Sequence, residues 1–306
     1  MAQQSASLPP LDVTRAPEGG DVGPVQSGWR LALREFASNR LAVVGVAIIL
    51  FFVVFCFLGP FFYHGNVLQV DLINSHDPPG AGHPLGTDVN GFDILGELMK
   101  GGQAALEIGF FAAFVAITIG SLVGAVAGLA GGIVDSALMR VVDVFLSVPF
   151  LFVVLILAVR YGATVLSLSL VIGAFSWQVP ARLVRGEVLT IRERDFVAAA
   201  RSAGSGNWRL IGRHLLPNAL GVVIVNVTFQ VADAILAVAY IGFLGFGLHY
   251  PNLDWGDMIS DGVTYMQDGY WWLIYPVGVC IVLTVMSLNF IGDALRDSLD
   301  VRLRRR

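Results

Sequence analysis

Few residues of this 306-residue chain are of types that perform chemistry, and their spacing argues against most reactions. The single lysine, Lys100, follows Met99, so no G-x-x-x-x-G-K-[ST] phosphate loop can be written and the chain is not expected to hydrolyse ATP itself. His64, His76, His83, His214 and His249 are dispersed, and no H-E-x-x-H, Cys/His cluster or G-x-S-x-G occurs. The sequence therefore offers neither a catalytic nor a metal site, and Cys56 and Cys280 read as small hydrophobes in apolar runs. Two carboxylates lie inside apolar segments, where ionisable groups mark pathways or structural pairs. Asp143 follows Arg140 by three residues and is expected to pair with it on one helix face. Asp233 has no sequence-local partner; it could line an aqueous cavity, meet a cationic group of a substrate or pair across helices. Asp233 and Asp143 are the candidate pathway residues.

The elements that must position these groups are membrane helices. The chain is 56% hydrophobic and 14% charged, with a mean hydropathy of +0.72, far from the roughly 25% charged residues of a soluble domain. A net charge of −4 provides no field for nucleic acid. Six apolar segments, at 41–63, 105–132, 141–160, 162–181, 216–246 and 270–292, are near or above the ~20 residues that cross a bilayer as a helix. Helices satisfy their own backbone in lipid, and strand-like alternation is missing, so the expected fold is an all-α integral membrane protein with six transmembrane helices.

Arginines gather before the first segment, between the fourth and fifth, and after the sixth, whereas the loops 64–104 and 247–269 hold Lys100 against nine acidic residues. By the positive-inside rule both termini are cytoplasmic. Residues 1–27 lack the pattern of a cleavable signal peptide and read as a disordered cytoplasmic tail. The remainder divides into 28–103, with the first span and an extracytoplasmic loop, a transmembrane domain at 104–296, and a basic cytoplasmic tail at 297–306.

Residues 187–218 form the one substantial cytoplasmic insertion, patterned helix, turn, helix, with Gly204-Ser205-Gly206-Asn207 as the turn and Pro217 ending the second helix. Phe196, Ala199 and Ala200 recur at helical spacing among Arg192, Arg194 and Arg201, which fits a docking hairpin better than a passive loop. Gly120, Gly124, Gly128 and Gly132 form a ridge for close helix packing, and Tyr265, Tyr270, Trp271, Trp272 and Tyr275 read as an interfacial belt.

The hairpin resembles a known signature. The run D-F-V-A-A-A-R-S-A-G from Asp195 to Gly204, followed after nine residues by H-L-L-P from His214 to Pro217, is similar to the E-A-A-x-x-x-G-x(9)-I-x-L-P element of ABC importer permeases. Further motifs, H-P-L-G-T-D at 83–88, A-R-L-V-R-G at 181–186, F-L-G-F-G at 243–247 and G-D-A-L-R-D at 292–297, resemble the C-type permease subunit of bacterial dipeptide and oligopeptide importers over about residues 28–303. The resemblance implies a multi-pass protein of the bacterial inner (cytoplasmic) membrane. Its implied partners are a second permease, two cytoplasmic ABC ATPase subunits that use the ATP, and an extracytoplasmic peptide-binding protein. No cofactor is bound directly. ATPase coupling falls to Asp195, Ala198, Ala199, Ala200, Arg201, Gly204, Leu216 and Pro217. Three positions depart from the pattern: Ala198 stands for the usual Glu, Phe92 for an Arg, and Val238 for a Glu of the fifth span. The cargo expected is di- and oligopeptides; nickel, glutathione or another small solute on the same machinery, or a self-contained channel or ion-coupled carrier, are the alternatives.

Overall fold

The computed structural model describes residues 28–304, so the tail 1–27, Arg305 and Arg306 lie outside the described residues. The described residues are all-helical, and the only β-type pairing among them is an isolated bridge between Thr87 and Asp93. Helix α1 (Gly28–Ser38) leads into α2 (Arg40–Phe57), which starts where the Asn39 side chain accepts the free N–H groups of Leu41 and Ala42. After a single-turn helix α3 (Gly59–Phe62) and a loop, Asp93 caps α4 (Ile94–Ala130) by accepting the Gly96 N–H at 2.8 Å. With 37 residues α4 is about 55 Å long and is the central post of the bundle.

The next two apolar segments do not form straight helices. Helices α5 (Gly132–Ser147) and α6 (Phe150–Tyr161) meet at 79°, with Pro149 at the break. Helices α7 (Val165–Ala174) and α8 (Gln178–Ile191) meet at 46°, with Pro180 in the first turn of α8. Four helical stretches are long and apolar enough to span a bilayer, or up to six if each bent pair is one span.

The hairpin helices are α9 (Asp195–Ser202) and α10 (Asn207–Leu210), followed by α11 (Leu216–Phe243). Pro217 does not end a helix as the sequence suggested. A π-turn at Ile211–Leu215 joins α10 to α11, and Pro217 sits in the first turn of α11, where its missing N–H matters least. Helix α12 (Trp255–Thr264) and the long α13 (Tyr275–Arg304) complete the chain.

Helix α4 packs against α2, α7, α8 and α11, and α13 closes the bundle against α2 and α11. One core cluster joins Phe52, Leu106, Ile235, Trp255 and Val277; another joins Ile108, Val154, Leu168 and Ile241. The glycine ridge is real for three members. Gly120, Gly124 and Gly128 press on α8, whereas Gly132 lies past the end of α4 and faces open space.

The aromatic group near residue 270 is only partly a belt. Trp271 and Tyr275 are exposed, but Trp272 is buried and donates from Nε1 to the Thr87 carbonyl at 3.2 Å. Tyr270 stacks on His76 at 4.6 Å, so these rings hold the loop before α4 to the start of α13.

Candidate functional site

The two ends of α4 carry opposite chemistry. At its C-terminal end, arginines of α8 and of the following turn hold the neighbouring helices. Arg185 forms a two-pronged pair with Asp135, from Nε at 2.5 Å and Nη2 at 2.6 Å, a geometry that only a planar guanidinium provides. Asp143 pairs with Arg182 at 2.5 Å, and not with Arg140 as the i, i+3 spacing suggested. The reason is tertiary: α5 lies against α8, which brings the Arg182 guanidinium across to it. Arg192 donates from Nη1 to the Gly128 carbonyl at 2.8 Å, satisfying an acceptor in the last turn of α4 and fixing the base of the hairpin.

The hairpin is rooted on one side and bare on the other. Val197, Leu210 and Leu215 are fully buried against Ala125, Leu129, Val184 and Val188. Helix α9 ends in a Schellman motif: the Ser205 N–H reaches the Ala200 carbonyl at 3.0 Å and the Gly204 N–H reaches that of Arg201 at 2.9 Å. That closure places Gly204 at φ +81°, the left-handed region that favours glycine.

Of the coupling candidates, Asp195, Ala198, Ala199, Arg201, Gly204 and Pro217 are exposed, and Ala200 and Leu216 are half-buried. The free face is therefore Phe196, Ala199 and Ala203, with Ala200 turned partly toward the core. The sequence reading passed over Trp208, which is 74% exposed at the hairpin tip. A bare indole among arginines was the signal that could have found it.

Asp233 projects from the middle of α11 onto an exposed face and makes no side-chain hydrogen bond or ion pair among the described residues. No hydrogen bond or ion pair joins it to Asp143, so the two pathway candidates do not form one relay.

At the N-terminal end of α4 the groups are acidic. Asp93 is fully buried and accepts from Tyr63 Oη at 2.7 Å and from the Gly96 N–H, with His83 Nδ1 at 3.0 Å from the same carboxylate. Asp254, also fully buried, caps α12 by accepting the N–H groups of Leu248, Gly256 and Asp257 at 2.8–2.9 Å. Burial pushes the Asp254 carboxyl above the usual carboxylate range, against the pull of those three donors.

Asp257 is pushed up to about 6, by burial first and then by the Asp254 and Asp261 charges, with His249 opposing. The folded chain thus holds this proton more tightly than an unfolded one, whose Asp titrates near ~3.9. The contribution of Asp257 to stability is therefore present at low pH and lost as pH rises from about 4 through about 6. We expect the melting temperature of Asp257→Asn, relative to that of the native chain, to rise across this window in a thermal-shift titration. A difference that stays constant from pH 4 to pH 7 contradicts the assignment.

The described residues thus form an all-helical bundle of long apolar helices with a hairpin rooted at one end. Residues 116–305 match the binding-protein-dependent transport system inner membrane component family, and residues 27–79 match the N-terminal TM domain of oligopeptide transport permease C. The chain is 37% identical over 280 residues to the dipeptide transport system permease protein DppC of Bacillus subtilis, covering 92% of this chain and 86% of that protein. It is 37% identical over 281 residues to the oligopeptide transport system permease protein OppC of Escherichia coli, covering 91% and 93%. A chain of the inward-facing MetNI methionine ABC transporter shares the fold with a TM-score of 0.54, at 22% identity over 66% of this chain and 96% of that one. The protein belongs to the inner-membrane component family of binding-protein-dependent transport systems, and it is a multi-pass membrane protein.

Proposed function

We propose that this chain is a permease subunit of an ATP-driven importer that translocates di- and oligopeptides delivered by an extracytoplasmic binding protein. Kinship to dipeptide and oligopeptide permeases across nine-tenths of the chain supports the cargo. In this reading both termini and the arginine-rich end face the cytoplasm, each bent helix pair counts as one of six spans, and the aspartate-rich end faces outward.

The observation that carries the mechanism is the hairpin, buried through Val197, Leu210 and Leu215 and bare at Phe196, Ala199 and Trp208. A groove on an ATPase subunit covers that bare face. Asp195, Ala198, Ala199, Ala200, Arg201 and Gly204 contribute to the docked helix and its turn, and Leu216 and Pro217 form its junction with α11. Because α10 runs through the π-turn into α11, a displacement of the docked hairpin is carried into a span of 28 residues. ATP is hydrolysed by the two ATPase subunits, and the permease binds no cofactor of its own.

The exposed Asp233 supports a second permease. A charge on the face of a spanning helix is costly against lipid, so that face is covered by a partner subunit and lines the aqueous path between them. Asp143, paired with Arg182, holds α5 to α8 beside that path.

The test is a mild-detergent pull-down of the tagged chain from its native membrane. Retention of a related permease and two ATPase subunits is the expected result. Recovery of the folded chain alone overturns the importer reading and favours a self-contained channel or carrier.

A further inference from the structure

The aspartate-rich end contains a cavity of about 130 Å³ whose walls combine two chemistries. Carboxylates of Asp88, Glu97, Asp257 and Asp261 line it, and Phe92 and Tyr250, stacked at 6.1 Å and 9°, form an aromatic wall. Tyr250 is 58% exposed and Asp261 is exposed, so the cavity reaches the surface there, while Glu97 is only 5% exposed. The carboxylate of Asp88 is engaged by the N–H groups of Asn90 and Phe92 and by the Asn90 side chain. Those of Glu97, Asp257 and Asp261 accept no hydrogen bond and form no ion pair among the described residues. His76 opposes the charge of Asp88 and His249 that of Asp257, while Lys100, one turn from Glu97 on α4, forms no ion pair among the described residues. A carboxylate as deeply buried as Glu97, aimed into a cavity and unpartnered, points to a ligand that brings the missing donor and charge.

The geometry selects among cations. No group of three or more His, Cys, Asp or Glu side chains among the described residues is close enough to hold a metal ion. Carboxylates spread around an aromatic wall instead suit a cation with N–H donors and an apolar stem, which carboxylates bind by charge-assisted hydrogen bonds and aromatic faces attract electrostatically.

We propose that this cavity is a binding site for the primary ammonium group of cargo, with Glu97 at its base, Asp257 and Asp261 above it and the Phe92–Tyr250 wall against the adjoining carbons. The site rests on the peptide-import reading and deepens it: it assigns this subunit a share in reading the charge of the peptide. The ammonium belongs either to a free amino terminus or to a lysine-type side chain.

The test is calorimetric titration of the purified full chain with alanyl-alanine, with N-acetyl-alanyl-alanine and with Nα-acetyl-lysinamide. Saturable binding of at least one ammonium-bearing probe, none of the acetylated dipeptide, and at least tenfold weaker binding in Glu97→Gln is expected. Which probe binds identifies the source of the ammonium. Binding of neither ammonium, equal binding of the acetylated dipeptide, unchanged affinity in Glu97→Gln, or displacement by millimolar magnesium overturns the proposal. Should Glu97→Gln fail to fold, Asp261→Asn at the exposed rim is expected to weaken binding severalfold, and unchanged affinity there overturns it equally. ATP-driven peptide uptake by the assembled transporter separates the two readings. Uptake without ammonium binding removes this site alone, whereas ammonium binding without uptake removes the peptide-import reading.

Discussion

Gly124→Val yields no stably folded protein. A Cβ at this position sits 2.9 Å from the Arg185 backbone nitrogen and closer still to the Ala181 carbonyl oxygen, and both belong to the backbone of α8. A crowded side chain can change rotamer, but a helix backbone cannot, so relief requires the axes of α4 and α8 to separate. The same closeness recurs one turn on either side: a Cβ at Gly120 meets the Trp177 carbonyl at 2.7 Å, and one at Gly128 meets the Val188 side chain at 2.8 Å. Separation would open the packing of Ala125 against Val184 and Val188, all nearly or fully buried, and close-packed interiors have no slack to absorb it. Overpacking alone costs about 1–3 kcal/mol, and the two extra methyl groups of valine, placed against backbone, put this site at or above the top of that range.

Gel filtration in detergent is expected to show loss of the monodisperse species for Gly124→Val and a lowered melting temperature for Gly124→Ala. Gly186→Ala, whose Cβ would meet nothing within 4 Å, serves as the control and should match the native chain. A native-like melting temperature for Gly124→Val would show that α4 and α8 are not in this contact.

Gly204→Val has the opposite signature, a folded protein that does not transport. Nothing lies within 4 Å of a Cβ at Gly204, so the penalty is purely conformational, arising from φ +81°. A left-handed residue other than glycine costs about 1–2 kcal/mol, and a β-branched one is worse placed than most. That is too little to unfold a bundle held by α4, α8 and α11, but enough to break the Schellman closure and re-aim α9 relative to α10. The expected result is a normal amount of protein in the membrane, a melting temperature within a few degrees of native, and ATP-driven uptake reduced at least tenfold. Gly204→Asn, which tolerates the left-handed region, should restore most of the uptake. Normal uptake by Gly204→Val would remove the hairpin from the coupling mechanism, and an equal loss in Gly204→Asn would shift the cause from backbone geometry to side-chain bulk.

What the sequence determined by itself was the apolar segments and the hairpin pattern, features that depend on near neighbours. Hydropathy over ~20 residues marks the spans because lipid tests each segment almost independently. The hairpin was legible because a glycine after a short helix, an apolar position every three or four residues and a basic surround are local features. Even so, the direction of Pro217 was misread, because proline is compatible both with the end of one helix and with the first turn of the next. The π-turn at Ile211–Leu215 that decides between them has no sequence mark of its own.

Only the tertiary structure decided which charges meet and which surfaces are left bare. Asp143 had a partner three residues away in the sequence, yet its carboxylate turns to Arg182, 39 residues on, because packing of α5 against α8 delivers a better-placed guanidinium. Asp135 and Arg185, 50 positions apart, carry no pairing signal in the sequence and become a two-pronged pair only where α5 packs against α8. The acidic cavity joins the stretch from Asp88 to Glu97 to residues beyond Tyr250, and the two were simply two sets of loop carboxylates in the sequence. Charge pairing and cavity formation depend on distances of a few ångströms between residues far apart along the chain, and those distances are set by how helices pack, which no local pattern encodes.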